Sequence, residues 1–176
     1  MTSNFASRAG QKLEFALDHF KISVAGLVCA DLGCSTGGFT DCLLQRGAAK
    51  VYSVDTGYGV LDYKLRIDPK VVVMERTNAL HVQLPEQVDF ISIDVGWTPQ
   101  KLILPHAISL LKPQGQIISL LKPHYEAHKA HLTSEEAENI ALQFAQYGEL
   151  TQSPILGKKA GNHEYLLWYT KSDESR

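Results

Sequence analysis

A glycine-rich loop and a later carboxylate are the residues whose types and spacing most directly suggest chemistry. Residues 31–40 read DLGCSTGGFT and follow a short apolar run. Their glycines, Gly33, Gly37 and Gly38, let the backbone approach a ligand closely and adopt torsions that are costly for other residues. Asp55 ends the next apolar run, where a carboxylate can accept hydrogen bonds from both ribose hydroxyls of a nucleoside. The spacing therefore predicts a nucleoside-binding loop.

The composition of the loop indicates which nucleoside it binds. NAD-binding loops read Gly-x-Gly-x-x-Gly, and Ser35 stands where the second glycine would be. The sequence contains no Gly-x-x-x-x-Gly-Lys-Ser/Thr, which excludes a P-loop. Asp31 would repel a pyrophosphate but suits a ligand with an ammonium and a sulfonium group. S-adenosylmethionine has both groups and no phosphate, so it is the predicted cofactor. The alternative is a turn that only connects a strand to a helix.

The elements that must position this loop alternate between strands and helices. Apolar runs typical of strands span residues 26–31, 51–55, 71–75, 88–94, 116–122, 151–156 and 164–171. Helices are predicted over residues 7–20, 38–46, 100–111 and 133–148. Thr133 and Glu136 form a capping box for the last helix, and residues 112–115 form a turn.

This order of elements predicts the fold class. Strands that alternate with helices and are rich in Val and Ile form a parallel sheet covered on both faces. The last two strands have no helix between them, so they should run antiparallel to each other. We therefore predict an α/β, Rossmann-like fold with a mostly parallel seven-stranded sheet. One antiparallel strand is expected near the C-terminus, with helices on both faces.

Length and composition are typical of one globular domain. The chain has 176 residues, 44% of them hydrophobic and 20% charged. We predict a single domain over residues 1–171 and a disordered tail at 172–176. No apolar run is long enough to cross a bilayer, and no secretory signal opens the sequence. Cys29, Cys34 and Cys42 are an odd number of cysteines without metal-type spacing, so we expect no metal site and a cytoplasmic protein. Because no apolar run is long, we also expect no membrane association.

The net charge of −2 bears on nucleic-acid binding. A dedicated nucleic-acid binder often carries a basic surplus, so binding here would need a local patch or a partner. The candidates for a basic rim are Arg8, Lys12, Lys64, Arg66, Lys129, Lys158 and Lys159. The candidates for stacking on a base are Trp97, Tyr125 and Phe39. His124, His128 and His131 are expected to be solvated on a loop.

Short motifs in a fixed order resemble those of one protein family. They read SRAGQKL at residues 7–13, TGGFTD at 36–41, ERTNA at 75–79, IDV at 93–95, LKP at 121–123 and GNHE at 161–164. Over nearly the whole chain, the sequence resembles the FtsJ-like ribose 2′-O-methyltransferases. Within that superfamily it is most similar to the TlyA, or hemolysin-like, rRNA methyltransferase family. The resemblance implies a class I methyltransferase fold, in agreement with the sheet predicted above.

The resemblance also implies site residues and an activity. It places a catalytic tetrad on Lys12, Asp94, Lys122 and Glu164. Together with the loop, the predicted cofactor-binding set is Asp31, Gly33, Ser35, Thr36, Gly37, Gly38, Phe39, Asp55, Asn78 and Asp94. The implied activity is methyl transfer from S-adenosylmethionine to a ribose 2′-hydroxyl of RNA, with ribosomal RNA or a ribosomal subunit as partner. The alternatives are an O-methyltransferase acting on a small molecule and a non-catalytic, hemolysin-like cofactor-binding module.

The four tetrad residues suit this chemistry in more than one way. A lysine ammonium beside a hydroxyl stabilises a developing alkoxide, whereas a neutral lysine could act as a base; the sequence leaves both open. We expect Lys122 to contact the hydroxyl, the two acids to orient the lysines, and Lys12 to steer the ribose or its phosphate.

The sequence departs from the family pattern in three places. Members usually carry a small N-terminal RNA-binding domain, whereas this sequence opens directly at the methyltransferase motif, so we expect the chain to lack that domain. After Asp94 the family tends to have Ser-Phe-Ile-Ser, and residues 96–99 here read GWTP. The stretch between Glu126 and the helix near Thr133 is also shorter and lacks a Gly/Val-rich loop that carries an arginine in the family. The second and third departures lie near the expected acceptor pocket.

Overall fold

A computed structural model describes residues 5–157 and 161–172. Most of the predicted tail, residues 173–176, lies outside the described residues, as do Lys158 and Lys159 of the predicted basic rim. The helices are α1 Ala9–His19, α2 Gly38–Gln45, α3 Tyr63–Arg66, α4 Gln100–Leu110, α5 Pro123–Glu126 and α6 Ser134–Leu142. The strands are β1 Val28–Leu32, β2 Lys50–Val54, β3 Val71–Met74, β4 Val88–Ile93, β5 Leu111–Leu121, β6 Glu149–Gln152 and β7 Tyr165–Thr170.

The strands of the described ranges form one seven-stranded sheet in the order β3-β2-β1-β4-β5-β7-β6. Strands β1 to β5 pair in parallel, and β7 runs antiparallel to both β5 and β6. The predicted mostly parallel sheet with a reversed strand near the C-terminus is confirmed.

Alternation along the strands divides the core between the two faces of the sheet. On one face, Ala30 and Ile91 pack with Ile103 of α4. On the other face, Cys29 and Phe90 pack with residues of α1 and α2. Because successive side chains of a strand point to opposite faces, both faces of the central strands are apolar and both need helices. In the described ranges, no helix is long and apolar enough to cross a membrane.

The topology gathers chain segments at one edge of the sheet. The carboxyl ends of β1, β2, β4 and β5 share that edge because these strands are parallel. Strand β7 runs the other way, so its first residue, Tyr165, pairs with Leu121, the last residue of β5. The residues just after β4 and β5 and just before β7 are therefore brought together.

Several element boundaries differ from the sequence-based expectation. Helix α6 has the predicted capping box but ends at Leu142, and turns occupy residues 143–147. Strand β6 ends at Gln152, because the Ser153 hydroxyl donates to the Ile155 carbonyl and accepts from its N–H, which closes a turn.

The predicted turn at residues 112–115 is a bulge within β5. Val88 pairs with Leu111 and Phe90 pairs with Gln116, so four residues of β5 oppose Asp89 alone. Gln114 has a φ of 62°, which lets the chain fold back into register.

Candidate active site

The glycine-rich loop folds back over the end of β2. The backbone N–H groups of Gly33 and Cys34 donate to the Val54 carbonyl at 2.8 and 3.0 Å. The Ser35 N–H donates to the Asp55 carboxylate at 2.8 Å. Asp55 also accepts from the Gly57 N–H at 2.7 Å. These bonds fix the carboxylate of Asp55 beside the loop, as the spacing of the two motifs predicts.

Gly37 closes the loop before α2 begins. Its φ is 100°, and a Cβ at this position would lie 2.3 Å from Leu65 Cδ1 and 2.8 Å from Leu61 Cδ1. The torsion therefore favours glycine, whereas the two leucine methyl groups could shift to make room for a Cβ. Gly37 packs under the loop and lines neither of the two cavities described below.

Asp31 lies beneath the loop in a buried polar cluster. Its carboxylate accepts from the Thr40 hydroxyl at 2.7 Å and from the Ser92 hydroxyl at 3.0 Å, and Thr40 also bonds Ser53 at 2.8 Å. Burial raises the pKa of Asp31 to about 7, although the two hydroxyl donors act against this shift. The side chain is fully buried and lines neither cavity, so it links β1, β4 and α2. The expected direct contact between Asp31 and a cofactor is not possible in this conformation.

Two cavities open beside the loop at the carboxyl edge of the sheet. The Asp55 cavity, of about 350 Å³, is lined by residues that include Asp55, Asn78 and Gly96. The Lys12 cavity, of about 260 Å³, is lined by residues that include Lys12 and Glu164. Volumes of this size suit small ligands or parts of larger ones. The residues that line both cavities are Gly33, Ser35, Asp94 and Lys122.

The four tetrad residues meet at the Lys12 cavity as two ion pairs. Lys12 on α1 pairs with Glu164, and the two side chains are 7% and 5% exposed. Lys122, which follows β5, pairs with Asp94, which follows β4, at 2.5 Å. Because Lys12 is buried in its ion pair, the expected role of steering a phosphate fits it poorly. Arg8, which is half-buried and lines the same cavity, is better placed for that role.

The environment of Lys122 favours its charged form. Burial alone would lower the pKa of Lys122, but Asp94, both by its charge and by its hydrogen bond, and the charge of Glu164 outweigh burial and raise it above the usual value. The ammonium also lies 5.5 Å from the centre of the Tyr125 ring. Of the two protonation states that the sequence leaves open, the structure therefore favours the ammonium at neutral pH.

Aromatic side chains line or border the Lys12 cavity. Tyr125 lines it, and the indole of Trp97 stacks on Tyr125 with ring centres 4.4 Å apart. Trp97 is 69% exposed and has a φ of 59°, a torsion that is rare for bulky residues. Phe39 lines the same cavity from α2 but is buried, so it packs under the loop.

His124 is the residue of this cavity that sequence reasoning missed. It was expected on a solvated loop but is 7% exposed, in the short helix α5. The available signal was Pro123, because proline is favoured at the first position of a helix. In the described residues, no three His, Cys, Asp or Glu side chains are arranged to hold a metal ion.

Most predicted cofactor-binding residues line the cavities. Asp55 and Asn78 line the Asp55 cavity, and the Lys12 cavity has Thr36, Gly38 and Phe39 in its wall. Gly33, Ser35 and Asp94 belong to both cavities, whereas Asp31 and Gly37 belong to neither. The loop and the ends of β2 and β4 thus form one continuous surface around the Lys122–Asp94 pair.

The sheet order, with β7 reversed between β5 and β6, defines a Rossmann-like methyltransferase fold. The sequence pattern of the FtsJ-like methyltransferases matches residues 5–171. The chain belongs to the FtsJ-like methyltransferase family.

Known relatives carry two kinds of name. The 16S/23S rRNA (cytidine-2′-O)-methyltransferase TlyA of Mycobacterium tuberculosis is 37% identical over 97% of this chain and 70% of that protein. Hemolysin A of Brachyspira hyodysenteriae is 38% identical over 94% of this chain and 76% of that protein. A solved structure of a Streptococcus thermophilus protein named as a hemolysin superposes with a TM-score of 0.91 at 35% identity, covering 98% of this chain and 69% of that one.

Proposed function

We propose that this chain transfers the methyl group of S-adenosylmethionine to a ribose 2′-hydroxyl of RNA, and that the RNA is ribosomal. The observation that carries the proposal is the position of the Lys122–Asp94 pair on the wall that the two cavities share. A donor in the Asp55 cavity and an acceptor in the Lys12 cavity would meet beside this pair. Holding two reactants in such near-attack geometry is the main requirement of methyl transfer.

The Asp55 cavity suits a ligand that carries positive charge and no phosphate. Its charged lining residues are Asp55, Asp94 and Lys122, so acids outnumber bases. Each Asp55 oxygen accepts one backbone hydrogen bond and keeps a lone pair for a ribose hydroxyl. Asn78 Oδ1 accepts from the Leu80 N–H at 3.0 Å, which orients the side-chain amide of Asn78 in the wall of the cavity. When bound there, S-adenosylmethionine supplies a methyl group activated by its sulfonium.

The protein side of the reaction then falls to the two ion pairs. The Lys122 ammonium is placed to lower the pKa of the acceptor hydroxyl and to stabilise negative charge that develops on its oxygen. Asp94 holds Lys122 in its charged form and in position. The Lys12–Glu164 pair lines the same cavity and adds to the field around the hydroxyl.

Two features support RNA as the acceptor. The Mycobacterium tuberculosis relative is named for cytidine-2′-O-methylation of rRNA and matches nearly this whole chain. Tyr125 lines the acceptor cavity and the exposed Trp97 stacks on it, and base–aromatic stacking is a common means of holding single-stranded RNA. Arg8 in the same wall would contact a phosphate.

The test offers labelled S-adenosylmethionine and unmodified ribosomal RNA, both free and in assembled subunits, and maps the modified nucleotide. Wild-type protein should label a 2′-O-methylated nucleotide. Lys122→Ala should abolish transfer while its affinity for S-adenosylmethionine, measured by calorimetry, stays close to wild type. Lys70→Ala is the matched control, because Lys70 is exposed and lies immediately before β3, at the opposite edge of the sheet.

Three results would contradict the proposal. Undiminished transfer by Lys122→Ala would remove Lys122 from the reaction. Labelling of a small hydroxylated acceptor but of no RNA would make the chain a small-molecule O-methyltransferase. Cofactor binding without labelling of any acceptor would leave a non-catalytic module.

A further inference from the structure

His124 is a titratable residue in the acceptor cavity to which neither the tetrad nor the cofactor loop gives a task. Its Nδ1 is buried and has no hydrogen-bond partner among the described residues. An unsatisfied buried polar atom is costly, and such atoms in native proteins usually have a bound group or water as their partner. The imidazole lines the same cavity as the Lys122–Asp94 and Lys12–Glu164 pairs. Because the ring forms part of the cavity wall, a bound acceptor could reach it, and the described residues give it no other task.

Methyl transfer releases a proton that some group must take up. The ribose oxygen forms a bond to the methyl carbon, the carbon–sulfur bond breaks with its electron pair going to sulfur, and the hydroxyl loses its proton. Lys122 is held as an ammonium and has no capacity to accept that proton. The carboxylates of Asp94 and Glu164 already accept from lysines, which weakens both as bases.

His124 differs from the charged groups of the cavity because its side chain is neutral and can accept a proton. Burial, followed by the charge of Lys122, lowers the pKa of His124, so the imidazole is neutral at physiological pH. Its ring lies against Tyr125 with centres 4.2 Å apart, which holds its orientation. The charged groups that line the cavity with it are Arg8, Lys12, Asp94, Lys122 and Glu164. The two carboxylates among them are already occupied by the two lysines.

We propose that His124 accepts the proton of the acceptor hydroxyl, directly or through one water, and is therefore a further catalytic residue of this enzyme. The inference rests on the proposed function, since it concerns the same hydroxyl. The protonated imidazole would then lie beside the Lys122 ammonium, and their repulsion returns the proton to solvent. Lys122 stabilises the charge on oxygen, and His124 removes the proton.

The experiment measures the pH dependence of kcat for wild type, His124→Gln and His124→Asn. The amide of Gln reaches the place of Nε2 and that of Asn the place of Nδ1; both can form a hydrogen bond, and neither takes up a proton. We expect kcat to fall by roughly 100-fold or more in both variants, because 100-fold is the lower end of the rate loss that follows removal of a general base. The affinity for S-adenosylmethionine and the KM for RNA should stay unchanged. Wild-type kcat should fall as the pH drops below the ordinary pKa of histidine, which gives the pH profile an acid limb. The pH profiles of both variants should lack that limb.

His131→Gln is the matched control, because His131 is exposed and close in sequence. A hydrogen-bonding or packing role for His124 would leave the acid limb in place, and undiminished kcat in either variant would overturn the inference. If neither variant folds, the pH profile of wild-type kcat still tests the inference, because a profile with no acid limb contradicts a histidine base. If the wild-type chain methylates no RNA, the proposed function and the inference fail together. If wild type is active and both variants match it, only the inference fails.

Discussion

Gly33 of the loop lies directly against the backbone of Asp94. A Cβ at Gly33 would stand 2.5 Å from the Asp94 carbonyl oxygen and 2.9 Å from its carbonyl carbon. The Asp94 N–H in turn donates to the Leu32 carbonyl at 2.9 Å. The cofactor loop and the first residue after β4 are therefore fixed to each other, so the position of the Lys122–Asp94 pair depends on the absence of a side chain at Gly33.

Gly33→Ala should weaken cofactor binding and methyl transfer together. The new methyl group must push the Asp94 backbone away, so we expect roughly a tenfold loss or more in affinity for S-adenosylmethionine, which is about 1.4 kcal/mol. Calorimetric titration of the folded variant measures this. Gly26→Ala is the matched control: Gly26 has a φ of 75°, close to the 86° of Gly33, but a Cβ there meets nothing within 4 Å. Equal losses in both variants would mean that backbone torsion, and not contact with Asp94, causes the effect.

Glu164→Gln should destabilise the fold as well as stop the reaction. The substitution leaves the Lys12 ammonium buried without its counter-charge, which costs about 3–5 kcal/mol in comparable cases. The double variant Lys12→Met, Glu164→Leu should recover most of the free energy of unfolding, measured by urea denaturation, but no methyl transfer. Glu86→Gln breaks the exposed Lys50–Glu86 pair and should cost little, because solvent screens that pair. Recovery of activity in the double variant would show that the buried pair has a structural role alone.

The buried carboxyl of Asp31 should make stability depend on pH. Its pKa is raised from 3.8 to about 7 on folding, so the folded protein binds the proton more tightly than the unfolded chain does. This contribution is fully present below pH 3.8 and is lost as the pH rises through about 7, which amounts to roughly 4 kcal/mol. The free energy of unfolding of Asp31→Asn should not show this decrease as the pH rises.

The measurement is the difference in free energy of unfolding between wild type and Asp31→Asn from pH 4 to pH 8. Taking the difference cancels the pH-dependent contributions of groups such as His124, whose lowered pKa makes stability rise with pH instead of fall. Parallel stability curves for the two proteins would contradict the protonation of Asp31 in the folded state.

Trp97→Ala should weaken RNA binding without affecting the cofactor. Loss of one stacking aromatic corresponds to a rise in the KM for RNA on the order of tenfold. Trp168→Phe leaves Trp97 as the single tryptophan, and its fluorescence should be quenched by a short oligoribonucleotide. Tyr147→Ala changes an exposed aromatic next to β6 and should leave RNA binding unchanged. An unquenched Trp97 together with an unchanged KM would exclude the stack from the RNA site.

Local sequence patterns were sufficient to predict the sheet and the position of the glycine-rich loop beside Asp55. Apart from β5, with its bulge, each parallel strand is a short apolar run, and Asp55 and Asp94 each follow such a run at its carboxyl end. Boundaries were predicted less well where a side chain bonds the backbone of a nearby residue, as Ser153 does with Ile155. Asp31 was misplaced for another reason: loop proximity suggested ligand contact, but strand alternation turns its side chain toward Thr40 under the loop.

The sequence by itself determined the fold class and the position of the loop, and resemblance to a family predicted the four tetrad residues. Only the tertiary structure decided how those four pair, because Lys12 and Glu164 are 152 residues apart and meet through the reversed direction of β7. The protonation of Lys122 and the burial of His124 were likewise decided by the fold. Both depend on how much water and how many charges surround a side chain, and residues distant in sequence set that environment.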